Sequence, residues 1–149
     1  MKVFLSVLFL ALLSTASIAA DEAMIKDAAI LKRLVNLADD CATCAGYNEI
    51  ITACTQNRNN PSDANVLAQL KSTQDFWFKR LTLLSRLVGM SPKATVSKII
   101  LNQNSMTAEI EDCVNLSVLI LRHGDNCKKL GNDIDNILIK EMEKADLTK

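Results

Sequence analysis

Five cysteines, Cys41, Cys44, Cys54, Cys113 and Cys127, constrain this chain more than any other feature, because all of them follow a leader that directs it to an oxidising compartment. The leader consists of Met1-Lys2, the apolar run Val3 to Leu13 and small residues up to Ala20, with an acidic start at Asp21-Glu22 behind it. This order reads as a secretory signal over residues 1–20, leaving 21–149 as the exported domain. The apolar run is too short for a transmembrane helix, which needs roughly 20 residues, and no later stretch approaches that length. The expected product is a secreted, extracellular protein stapled by disulfides.

An odd cysteine count leaves one thiol over. Whichever cysteine is spared, the other four can pair in three ways, so spacing alone does not choose. The spare thiol is either buried or joins two copies into a disulfide-linked dimer. Cys41 and Cys127 fall on the apolar stripes of the first and last predicted helices and make the leading pair. Cys54 bonded to Cys113 or to Cys44 is the expected second bridge.

Apolar residues recur at helical spacing along almost the whole exported part. Ile30, Leu34, Leu37, Ala38 and Cys41 predict a helix from Asp21 to about Cys44, interrupted by Gly46 and followed by a shorter helix over Tyr47 to Gln56. After the polar loop 57–60, Asn60 as a cap and Pro61 as a first residue start the longest helix, to about Val88. It carries two stripes, Leu67, Leu70, Trp77, Leu81, Leu84 and Val88 beside Phe76, Leu83 and Leu87, more than one neighbour could cover. Gly89 ends it and Ser91-Pro92 begins a short fourth helix marked by Val96, Ile99 and Ile100. A polar loop is expected at Asn102 to Ser105, then a helix over Met106 to Arg122 whose run Val118-Leu119-Ile120-Leu121 places it near the middle of the bundle. His123-Gly124-Asp125-Asn126 reads as a turn before a last helix, Cys127 to about Lys144, with Cys127, Leu130, Ile134, Ile137 and Leu138 on one face. The fold class is all-α, a single-domain bundle of five to six helices.

Composition narrows the function. Apolar residues at 49%, with four glycines and two prolines, exclude a low-complexity chain. The leader holds one of the 17 basic residues and none of the 17 acidic ones, so the exported part is within one charge of neutrality. Without a basic stripe or a basic amphipathic face, neither nucleic acid nor an anionic membrane is an expected partner.

Chemistry-bearing patterns are few. Cys41-Ala42-Thr43-Cys44 has redox-dithiol spacing, but it follows a helix and the acidic pair Asp39-Asp40, both of which disfavour a thiolate, so a structural role is expected. One CxxC without a second pair is half a zinc site. His123 is the sole histidine, and no HExxH or glycine-rich phosphate loop is present. Carboxylate pairs such as Asp39-Asp40 and Glu111-Asp112 mark solvated faces. The chain is therefore expected to be no enzyme and to hold no metal or cofactor. Asn115-Leu116-Ser117 is a glycosylation sequon, with Asn115 on the polar side of its predicted helix.

The aromatic segment Phe76-Trp77-Phe78 fans over about 200° of a helix, so its three rings do not share one core seam. One of them is a candidate for a ligand pocket or an interface. Two functions follow. The first is an extracellular interaction module that binds a protein partner. The alternative is a carrier that holds a small apolar ligand or lipid between its helices. A carrier predicts a pocket of several hundred Å³ lined by residues such as Trp77; an interaction module predicts a close-packed interior and an exposed apolar patch.

Overall fold

The computed structural model describes residues 25–58, 60–110 and 113–147, and these are helical with no strand. The predicted signal, the start at Asp21 and the pair Glu111-Asp112 lie outside the described residues. Helix α1 (Ala28–Asn57) is capped by Asp27, whose Oδ1 accepts from the amides of Ala29 and Ile30 at 2.8 and 2.9 Å. A 3₁₀ turn, Pro61–Asp63, leads into α2 (Ala64–Leu87), and α3 (Pro92–Thr107) follows. The last rod is continuous: α4 (Leu116–Leu119), a π-helical segment (Ile120–Gly124) and α5 (Asp125–Lys144).

Local signals set the α2–α3 corner. Gly89 adopts the left-handed φ of 68° that ends α2, and the Met90 amide returns to the Ser85 carbonyl at 2.7 Å. Ser91 Oγ then accepts from the Ala94 amide at 3.2 Å, with Pro92 in the first turn.

Among the described residues four rods replace the five to six helices expected, and three differences account for this. Gly46 does not interrupt α1. It is buried where α1 crosses α3, and a Cβ there would stand 3.3 Å from Gln103 Cγ and 3.4 Å from the Ile99 carbonyl, so the glycine serves close approach. The polar stretch Asn102 to Ser105 stays helical because it lies on α3 between buried Ile99 and buried Met106, with Gln103 bonded to Glu49 of α1. The expected helix Met106 to Arg122 is instead broken at 108–110 and 113–115, and the expected turn at 123–126 is helical, passed by a π-widened segment.

α1 is the central element. Leu34, Ala38 and Cys41 join Trp77, Leu81 and Leu84 of α2 and Ile134 and Leu138 of α5 in the main core. A smaller cluster, Ile50, Cys54, Met106, Ile110 and Leu119, closes the far end. The run Val118 to Leu121 is not central. Leu119 alone is fully buried, while Ile120 and Leu121 are 50% and 84% exposed, because the rod turns its Leu119 side toward this end cluster and its other side outward.

Candidate functional site

Two disulfides tie the last rod and the turn before it to α1. Cys44 bonds Cys127 and Cys54 bonds Cys113, each with Cα atoms 5.4 Å apart. The second bridge is one of the two expected; the leading pair is corrected, since Cys44 and not Cys41 meets Cys127. Both cysteines lie on the buried side of α1, and the one nearer the Asn57 end is level with the start of α5. Cys41 is the spare thiol and is fully buried. Burial first, then the Asp40 carboxylate, pushes its pKa up to about 12 against a smaller opposing effect of Arg80, so it stays a neutral core group.

The aromatic segment divides between two depressions on opposite sides of α2. Trp77 is buried, and Phe76 and Phe78 are half-buried on either side of it. Phe76 stands edge-on to Trp77 at 5.0 Å, and the Arg80 guanidinium lies 3.8 Å over its ring. Arg80 is itself held by Asp135 of α5, donating from Nε at 3.1 Å and Nη2 at 2.7 Å. Phe76 and Trp77, with Tyr47 of α1, line an open groove of about 480 Å³ against α5, where Gly131 faces the Trp77 edge and Gly124 faces the Tyr47 hydroxyl. On the other side Phe78, Met90, Val96 and Ile99 line a pocket of about 320 Å³ between α2 and α3. Its base is joined by a hydrogen bond from Thr95 Oγ1 to buried Ser85 Oγ at 2.8 Å.

His123 enters a third depression, of about 260 Å³, beside Asp40, Thr43 and the Cys44–Cys127 bridge. Its ring centroid is 6.2 Å from that of Tyr47, and its buried Nε2 has no hydrogen-bond partner among the described residues. Burial, then neighbouring Asp39, raises the Asp40 pKa. Among the described residues no group of three or more His, Cys, Asp or Glu side chains could hold a metal, and no helix is long and apolar enough to cross a membrane. Asn115 is exposed in the turn after Cys113, not on a helix face, and its Oδ1 accepts from Ser117 Oγ at 2.9 Å.

Reading the sequence singled out the three aromatic residues but not what faces them. Tyr47, Lys128 and Gly131 complete the Phe76–Trp77 groove, with Arg80 stacked on Phe76 behind it, and their only local trace is a glycine inside an otherwise regular amphipathic helix. Comparison of the chain with family models, curated proteins and solved structures finds no match.

Proposed function

We propose that the chain is a secreted, non-enzymatic interaction module that docks an extracellular protein through the corner between α2 and α3. The observation that carries this reading is the apolar surface that begins in the Phe78 pocket and continues along α3, where Val96 and Ile100, one helical turn apart, are 53% and 47% exposed. A small apolar pocket beside exposed aliphatic side chains is the form that an anchor residue of a partner fills, and a scattered surface residue would not combine the two. Leu34, Leu81, Leu84, Leu119 and Ile134 have no exposed surface, in keeping with the close-packed interior of such a module, and the Trp77 groove is open to solvent rather than enclosed between the helices as a carrier's cavity would be.

Capture of partners from the extracellular fluid by the immobilised protein tests it. Val96→Asp and Phe78→Ala should lose partners that the unaltered protein retains, while Val96→Asp leaves the thermal midpoint within a degree or so. Identical capture by both variants would remove this corner as the docking face.

A further inference from the structure

We infer that the groove between α1, α2 and α5 binds a small amphiphile bearing one carboxylate on an apolar body, of which a medium-chain fatty acid is the simplest member. The site lies on the side of α2 away from the Phe78 pocket and does not depend on the interaction reading.

Its volume, about 480 Å³, falls within the range of small-molecule sites. Its aromatic wall is fixed before any ligand arrives: Phe76 is held between the Trp77 edge and the Arg80 guanidinium, and Arg80 is held in turn by Asp135. A wall already in place loses little side-chain freedom on binding.

Gly131 is the second observation. A glycine inside a helix destabilises it relative to alanine, and two reasons that would excuse one are absent. Its φ is not left-handed, Gly89 being the glycine with positive φ among the described residues. Nor does packing forbid a side chain, since an added Cβ would stand 3.6 Å and 3.8 Å from Trp77 and 4.0 Å from Phe76, which is ordinary contact. What the glycine does is keep a side chain out of the groove beside the Trp77 edge and the Phe76 ring.

Charge selects the ligand class. Lys128 is the one charged side chain lining the groove, no carboxylate lines it, and Lys128 makes no ion pair among the described residues. An apolar body against Tyr47, Phe76 and Trp77 with an anionic head at Lys128 satisfies both parts of the site.

Trp77 is the sole tryptophan of the chain and lines the groove, so its fluorescence reports occupancy directly. The full chain is titrated with laurate, dodecanol and dodecyltrimethylammonium, each below the concentration at which it self-associates. Laurate should shift the emission saturably at one per chain, dodecanol should bind at least tenfold more weakly, and the cation should produce no saturable shift. Lys128→Gln should reduce laurate to the level of dodecanol without changing dodecanol, and Gly131→Leu should abolish the response to both with an unaltered circular dichroism spectrum. No saturable response to laurate, equal affinity for laurate and dodecanol, or an unaffected Lys128→Gln variant overturns the proposal. Retained laurate binding in folded Gly131→Leu overturns the location. If Gly131→Leu does not fold, the Lys128→Gln comparison decides alone. Failure here leaves the Phe78 corner untouched, because partner capture and laurate binding are read on different faces with different variants.

Discussion

Replacing Cys44 and Cys127 together by alanine measures how two disulfides share the restriction of one unfolded chain. Their separations are 83 residues for Cys44–Cys127 and 59 for Cys54–Cys113, and the second ring lies wholly inside the first. Closed by itself, the outer ring would stabilise by about 4.6 kcal/mol in the chain-entropy account. With the inner bridge intact, however, the unfolded path from Cys44 to Cys127 is already short-circuited to roughly 24 residues, and closing the outer bridge then contributes only about 3.5 kcal/mol. Loss of the outer pair should therefore cost about 1 kcal/mol less when Cys54–Cys113 is present than when it is absent. The space left by the alanines is the same in both backgrounds and cancels from the difference. Urea unfolding followed by circular dichroism on four proteins supplies the cycle: both bridges, each alone, and neither. All four carry Cys41→Ala, so that no thiol reshuffles the bridges, and sucrose is added throughout to keep the weakest folded. Equal cost of the outer pair in both backgrounds would refute the nested-ring reasoning.

Three further outcomes are expected. Trp77→Ala should destabilise by about 3–5 kcal/mol in urea unfolding, while Phe76→Ala and Phe78→Ala cost less because both rings are half-buried; equal losses at all three would contradict the division of the aromatic segment. Glu141, buried on α5, accepts hydrogen bonds from Lys144 at 2.6 Å and Arg33 of α1 at 2.8 Å, and these, Lys144 first, hold its carboxyl below the usual range against the opposing effect of burial. Its folded pKa lies under its unfolded one, so its contribution is complete above the unfolded carboxylate range and is lost as pH falls through the folded value. The urea midpoint should drop more steeply on acidification in the unaltered protein than in Glu141→Gln, and parallel slopes would dismiss the linkage. Cys41 should resist iodoacetamide at pH 8 in the native protein and take up one label per chain in denaturant; labelling without denaturant would mean that the thiol is accessible.

Much of the helical content was legible locally. The Ser91-Pro92 start and the Gly89 stop act through the backbone of their own few residues, and Ile30, Leu34, Leu37, Ala38 and Cys41 are buried as their spacing predicts. The same local reading misplaced Gly46 and His123-Gly124-Asp125-Asn126. Glycine and short polar residues usually mark breaks when read along the chain, but here Gly46 is pressed against α3 and Gly124 against Tyr47, contacts made by residues far away in sequence.

Amino-acid order alone determined that the chain is helical, which positions within each helix are apolar, and that Phe76 and Phe78 lie about 100° to either side of Trp77, so that at least one of them is peripheral. Tertiary structure alone decided that Cys44 rather than Cys41 meets Cys127, that Leu121 is exposed, and that Gly131 faces an aromatic wall. The physical reason is common to all three. Periodicity specifies a direction around one helix axis, and residues three apart, such as Cys41 and Cys44, differ by only about 60°; which of them finds a partner depends on the height and tilt at which a second helix crosses, and those are set by the packing of the whole core.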